Sequence, residues 1–388
     1  MDQSQFTALS PGSLVPIQVP ARGRDWAFVP HELQPSWEFS SRLWPLVASA
    51  KEMLGTLNGI GQLLPDPQLL LRPLQNREAI ASSSIEGTYV TPEQLLLFEL
   101  DPQEVQLSDD EAADRQEVYN YGRALQHGCE LLVTLPLCSR MICEMHRILM
   151  TGVRGQNKSP GSFRTYQVQI GSSGRFVPPP PTEIERLMGN LERYMNSDDE
   201  RYDPLVRSFL VHYQFEAIHP FGDGNGRVGR ALLALMIYKL LGHAQPWLYI
   251  SAYYERYREE YMQCLFDISR RGDWEKWLEF CLRGAVEQAQ DSIDRCHRFN
   301  ALRKEFHERV AASTARTYSM IESLFRTPVV TIPTVSKQFG VAYHTAQTDI
   351  ERLVKLGILR EVVGKYPRTF FASEIMKIAY DVSDSPSE

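Results

Sequence analysis

Residues 219–230 put three glycines into five positions (Gly222, Gly224 and Gly226), between two stretches that both read as buried helices. Upstream, Leu205, Val206, Phe209, Leu210 and Tyr213 recur at helical spacing. Downstream, Ala231 to Leu241 is apolar and helical and is closed by Gly242. The chain must therefore turn sharply between two core helices, through backbone that only glycine adopts freely. Helical periodicity also governs most of the remaining sequence, so the expected fold is mostly α.

Residues 1–35, rich in Pro and Ser, read as an extended lead-in. From Trp37 to about Leu63, Leu43, Leu46, Val47, Ala50, Met53 and Leu54 fall on one side of a helix. Pro65, Pro67 and Pro73 read as a broken stretch. A helix over 74–86 should stop near Gly87, and Thr91-Pro92-Glu93 should start another. Helices are expected over 109–155 and again from Thr182 to about Val310. Between them, Val168, Ile170, Phe176 and Val177 flank Gly171-Ser172-Ser173-Gly174, as in a β-hairpin stopped by four prolines at 178–181. Residues 313–380 read as a separate unit of helix-turn-helix plus a small hairpin, or wing. The expected division is 1–108, a helical region; 109–285, a catalytic unit; 286–312, a linker helix; 313–380, the winged unit; and 381–388, a frayed tail.

The 388 residues are 43% hydrophobic with a net charge of −7, enough for sizeable cores and unlike a polybasic nucleic-acid coat. The six cysteines lack CxxC spacing, which fits free thiols in a reducing compartment. No run of about 18 apolar residues suggests a membrane span, and Met1–Pro20 does not read as a secretory signal. The expectation is a soluble cytoplasmic protein with no membrane partner.

The chemistry is concentrated in the glycine-rich loop. Uncrowded N–H groups just before a helix form a site for phosphate. Arg227 and Arg230 add two rigid positive forks. Asp223 suits Mg²⁺, a hard ion that shares carboxylate and phosphate oxygens. His219 titrates near neutrality and suits a general base. Together these groups specify nucleotidyl or phosphoryl transfer onto a hydroxyl.

His219-Pro220-Phe221-Gly222-Asp223-Gly224-Asn225-Gly226-Arg227-Val228-Gly229-Arg230 resembles the signature of the Fic family, HxFx(D/E)GNGRxxR, at every specified position. The resemblance runs over roughly residues 75–285 and implies a helical bundle with one hairpin flap. It implies an adenylyltransferase that moves AMP from ATP to a Ser, Thr or Tyr hydroxyl of a target protein. In that reading His219 deprotonates the hydroxyl, Phe221 anchors the loop, and Asp223 holds Mg²⁺. Gly222, Gly224, Asn225 and Gly226 cradle phosphates, Arg227 binds near the β-phosphate, and Arg230 binds the γ-phosphate. The flap, led in by Pro160-Gly161-Ser162-Phe163-Arg164, docks the target along Gly171, Ser172, Ser173, Gly174, Arg175 and Phe176. Tyr257 stands where many relatives carry an Asn that covers the adenine, so the expectation there is either a tyrosine that stacks on the nucleotide or a core or surface tyrosine.

Ser82-Ser83-Ser84-Ile85-Glu86-Gly87 resembles the family's inhibitory motif, [S/T]xxxE[G/N]. It implies that Glu86 pairs with Arg230 in place of the γ-phosphate, with Ser82 orienting the carboxylate. Removal of AMP from modified targets is a second activity such a motif allows. Relatives often form homodimers. Within 313–380 nine basic residues face five acidic ones, and Tyr343, His344, Thr345, Gln347 and Thr348 line the second helix, with Lys365, Tyr366 and Arg368 on the wing. DNA is one partner such a unit takes, and another protein is the alternative. Two rival readings stay open: the same loop with UTP or CDP-choline as donor, and a DNA-binding regulator with a vestigial catalytic unit.

Overall fold

The computed structural model describes residues 1–19, 23–33, 38–64, 66–102, 110–155, 157–171, 175–198, 201–311 and 313–381. The chain is mostly helical, and among the described residues most buried apolar side chains form one core from Phe28 to Ala379, with a small second cluster around Leu96. At its centre lie α7 (Pro204–Ile218) and α8 (Asn225–Leu240), the helices on either side of the glycine-rich loop. Thirteen of the fifteen residues of α7 are buried, which marks it as a helix with no solvent face. Asp203 caps it by accepting the Leu205 N–H, and Pro204 sits at its first position.

Helices α4 (Asp110–Leu131), α5 (Ser139–Leu149) and α6 (Ile184–Met195) pack around this pair. On the other side are α9 (Ser251–Arg256), α10 (Arg258–Arg271) and α11 (Trp274–Arg309). His212 of α7 bonds Tyr261 of α10 at 2.9 Å and the Gly229 carbonyl of α8 at 3.2 Å. The Trp277 indole N–H of α11 donates to the Phe209 carbonyl. These polar contacts fix the helices around the loop where apolar packing alone would let them slide.

Several expectations change. Residues 12–30 form an antiparallel pair, β1 (Gly12–Val19) and β2 (Gly23–Pro30), in the segment read as a lead-in of a helical region. Phe28 of β2 is fully buried, and its N–H donates to the Val177 carbonyl. Helix α1 runs Trp44–Leu63; Trp37 and Pro65 lie outside the described residues. Helix α2 (Gln68–Ile85) continues through Pro73. That proline lies past the first turn and gives up one rung of the ladder, the N–H that would reach the Leu69 carbonyl, which the packed helix tolerates. Helix α3 (Pro92–Leu100) opens with a Thr91–Gln94 capping box. The expected hairpin near 170–176 is a loop closed by the single bridge Ile170–Phe176; the prolines that follow lack the N–H groups a ladder needs. Ser172, Ser173 and Gly174 lie outside the described residues, as do 103–109 and the tail from 382. Helix α11 runs unbroken from 274 to 309, so a linker helix beginning at 286 is not a separate element.

The C-terminal region is α12 (Ala315–Arg326), β3 (Val329–Thr331), α13 (Ile332–Phe339), α14 (Tyr343–Lys355), β4 (Arg360–Val362), β5 (Thr369–Phe371) and α15 (Ser373–Tyr380), with strand order β3-β5-β4. Helices α13 and α14 meet at Gly340, whose φ of +62° ends the first one. This region docks on the rest. Val329, Phe371 and Met376 bury Leu96 of α3, and α12 and α15 contact α2. Arg309 of α11 pairs with Glu374 at 2.8 Å, and Asp66, just before α2, pairs with Arg326. Among the described residues no helix is long and apolar enough to cross a membrane, and all six cysteines are free thiols.

Candidate active site

His219 ends α7 in the left-handed conformation, φ 51° and ψ 61°. It is one of three non-glycine residues with positive φ among the described residues. Such backbone costs of order 1 kcal/mol and is held only where the surroundings over-determine it. Here they do. Its N–H donates to the Phe215 carbonyl. Its carbonyl accepts from Arg164 Nε at 2.9 Å. Asn225 then pins the loop, accepting the Phe221 N–H at 2.8 Å and donating to the Phe221 carbonyl at 2.9 Å. Its amide is spent on the loop itself, so only its backbone is open to a phosphate. Phe221 is fully buried and stacks on His146, with ring centroids 3.8 Å apart.

His146, which the sequence did not single out, is a second organiser. Its Nδ1 accepts the Gly161 N–H at 2.8 Å, so Nε2 carries the proton to the Asp223 carbonyl at 3.1 Å. Burial pushes His146 down to about 4, so it is neutral at pH 7. Nothing in an amphipathic helix marked it, because its partners lie on other segments.

Gly224 caps α8 with φ 73°. The Val228 N–H is the first to find its helical carbonyl, at Gly224. The N–H groups before it form the positive end of the helix, aimed at the loop. A Cβ at Gly226 would collide with Glu86 Oε1, so glycine there makes room for an anion beside the helix. At Gly222 a Cβ would meet the Tyr166 hydroxyl.

A cavity of about 310 Å³ opens beside this loop. Its lining includes His219, Gly226, Arg230, Glu86, Arg258 and Tyr261, with Gly171, Arg175 and Phe176 from the flap. Gly222, Asp223, Gly224, Asn225 and Arg227 do not line it. Arg227 is turned into the protein and held by Glu117 at 3.0 Å, both about 5% exposed. Glu117 also accepts from Thr88, two residues beyond Glu86. Tyr257 stays 40% exposed and packs on Tyr253. It is absent from the cavity wall, where Arg258, Tyr261 and Met262 stand instead. The helix break between α9 and α10 falls at Tyr257 and rotates it out of line.

Arg230 is fully buried beneath the cavity. Its Nη2 bonds Glu86 Oε1 at 2.8 Å and the Ser82 carbonyl at 2.7 Å, and its Nε bonds Ser82 Oγ at 2.8 Å. Ser82 therefore orients the arginine, where the sequence suggested the carboxylate. Burial raises the Glu86 carboxyl, but the Arg230 charge more than offsets it and holds Glu86 below its usual range. Glu86 caps α2, and Gly87 leaves the helix at φ +93°.

Burial first, then the Arg164 charge, pushes His219 down to about 4, so its imidazole is neutral at pH 7. Its Nδ1 has no hydrogen-bond partner and lies 4.0 Å from Glu216 Oε2. Glu216, also unmarked by the sequence, is pushed up to about 8 by burial, against the pull of Arg230. A Cβ at Gly229 would collide with its carboxyl.

Asp223 fits a divalent cation. One oxygen accepts the Gly224 N–H at 2.8 Å, and the other already holds a cation, the Lys158 ammonium, at 3.0 Å. A single exposed carboxylate suits Mg²⁺, which takes its other ligands from phosphate and water. Among the described residues no cluster of three metal-ligating side chains exists.

Residues 44–130 match the profile of the Fic/DOC family N-terminal region, and residues 136–237 match that of the Fic/DOC family. Protein adenylyltransferase Fic of Drosophila erecta is 31% identical over 126 residues, which is 32% of this chain and 24% of that protein. The Drosophila melanogaster protein of the same name is 30% identical, over 32% of this chain and 25% of its own length. The chain thus spans about a quarter of the length of these relatives. Among solved structures, a Fic family protein from Desulfovibrio desulfuricans G20 superposes with TM-score 0.57 at 20% identity, over 92% of this chain and all of that one. A Fic domain-containing signaling protein from Bacteroides thetaiotaomicron gives 0.52 at 19%, over 66% and 97% of the two chains.

Proposed function

Because this chain is a Fic domain protein, we propose that it transfers AMP from ATP to a hydroxyl side chain of another protein, and that Glu86 restrains the reaction. The observation that carries this reading is a neutral, partly buried imidazole, His219, in the wall of a cavity of about 310 Å³ with the buried Arg230 at its base.

The target hydroxyl enters along the flap near Gly171 and Phe176 and donates its proton to His219. Its oxygen forms a bond to the α-phosphorus as the bond to the bridging oxygen of pyrophosphate breaks. Charge growing on the phosphate oxygens meets the N-terminus of α8, whose N–H groups need no rearrangement. Mg²⁺ held by Asp223 would neutralise the leaving pyrophosphate. The Lys158 ammonium would have to leave that carboxylate first. Arg230 suits the γ-phosphate only when Glu86 lets go, because its fork is already filled by Glu86 and Ser82. Arg227, paired with Glu117, shapes the loop and takes no phosphate in this arrangement.

The test is incubation with α-labelled ATP and Mg²⁺. Strong labelling of protein by Glu86→Gly, little by the parent and none by His219→Ala supports both parts of the reading. Equal labelling of parent and Glu86→Gly removes the restraint. Label from another nucleotide but not from ATP replaces the donor.

A further inference from the structure

We propose that Arg164 is a positioning residue of this site, fixing the backbone of His219 and both stems of the flap through one buried guanidinium. The inference rests on the function proposed above for His219.

Arg164 is 3% exposed. Among the described residues its bonds all go to carbonyls, with no carboxylate at hand. Nε donates to His219, Nη1 to Tyr166 at 3.0 Å and Nη2 to Pro179 at 2.7 Å. Its own N–H donates to the Pro220 carbonyl at 2.9 Å. Tyr166 lies on the way into the flap and Pro179 on the way out. One side chain therefore joins the loop that carries the base to the two strands of chain that bracket the target-docking edge. A buried cation without an anionic partner is an unfavourable arrangement, and burial holds Arg164 down to about 10. Only the planar, five-donor fork of arginine reaches three carbonyls in three directions; a lysine ammonium cannot.

Two consequences follow for His219. The Nε bond holds the carbonyl inward, which keeps the residue in its left-handed conformation. The guanidinium charge is also the second cause, after burial, of the neutral imidazole. The carboxyls that face His219 from other elements act the other way or are neutral: Glu86 from α2 and Asp223 from the loop favour protonation, and Glu216 from α7 is raised by its own burial.

NMR titration of histidine-labelled protein reads this without ATP or target, so its result stands even if Glu86→Gly transfers nothing. In the parent, His219 should titrate at about 4. In Arg164→Met its midpoint should rise by about one pH unit. In the Glu86→Gly background, kcat should fall about 100-fold, the scale expected for a displaced catalytic group. Arg164→Lys keeps the charge and loses the fork. It should leave the His219 midpoint low while raising KM for the target. A folded Arg164→Met protein with an unmoved midpoint and unchanged kcat overturns the proposal. If Arg164→Met does not fold, the lysine variant decides: KM for the target and kcat both equal to the parent also overturn it.

Discussion

At the scale of single residues, the site is a set of competing charges around His219 and Arg230. His219, pushed down to about 4, keeps a neutral imidazole over a wide pH range, as the base proposed above needs. Its folded value lies below the ordinary 6.5, so protonation is disfavoured in the native state and sets in only at low pH. The expected pH profile of Glu86→Gly is therefore level from about 8 downward, with its acid limb approaching 4 and not 6.5. An acid limb centred near 6.5 under saturating ATP would remove His219 as the base or remove its burial. Stability carries the opposite-signed contribution of Glu216 as well. Its folded value near 8 stabilises the protein at low pH, and that contribution is lost as pH rises through 8. Buried His146 and half-buried His219 contribute stability that is lost as pH falls from 6.5 towards 4.

At the scale of elements, the N-terminal β-pair changes how the flap should be understood. Phe28 packs on Phe176 with ring centroids 5.5 Å apart, and its N–H holds the Val177 carbonyl. The flap is thus supported from outside the helices that flank the glycine-rich loop. Phe28→Ala should cost about 3 kcal/mol, the lower range for a fully buried phenylalanine. It should raise KM for a protein target more than KM for ATP. Equal effects on both, measured in the Glu86→Gly background, would detach the β-pair from docking. The same element shows where sequence reasoning ends. The loop at 219–230 was legible because its chemistry is packed into twelve residues between two apolar helices. Glu86 was legible through its own local pattern. The β-pair was not, because the prolines at 16 and 20 conceal its alternation and its supporting contact lies 149 residues away at Val177 (177 − 28). Arg164, Glu117 and Glu216 stayed silent for the same reason: each gains meaning only from a partner supplied by the tertiary fold. Tyr257 was misplaced because one residue of helix break is invisible to spacing.

At the scale of the whole molecule, the C-terminal region behaves as part of the core. Several of its basic side chains are already paired: Arg316 with Asp349, Arg326 with Asp66, and Arg368 with Glu361 and Glu351. Asp349, Glu351 and Glu361 are already among the five acids counted from sequence, and the Asp66 pair from outside is balanced by Arg309 on Glu374, so these pairs leave the basic excess of the region unchanged. Removing residues from 313 onward uncovers Leu96 and the outer faces of α2 and α11. A fully buried leucine alone contributes about 2 kcal/mol. The truncated protein should melt at a lower temperature and incorporate more AMP than the full chain, because α2 loses part of its seat. Truncation that leaves both melting and basal labelling unchanged would make the region an independent passenger.

Helix α2 is held along its length: Glu78 accepts Tyr121 and Ser251, and Arg77 pairs with Asp291 at 2.6 Å. It cannot swing aside as a rod without breaking these ties. Glu86, however, sits just past its last helical residue and is followed by a glycine. The final turn is itself held, by Ser84 donating to Glu255 and Arg258 donating to the Ile85 carbonyl, so parting Arg230 from its carboxylate asks only that the exposed Glu86 side chain turn away, a local opening with its own small equilibrium constant. An opening that costs about 3 kcal/mol is occupied by roughly 1 molecule in 160 at any instant. Under the proposed function, a restraint built this way leaks by design: it sets an idle speed, and anything that stiffens or loosens the Glu86 carboxylate tunes that speed continuously.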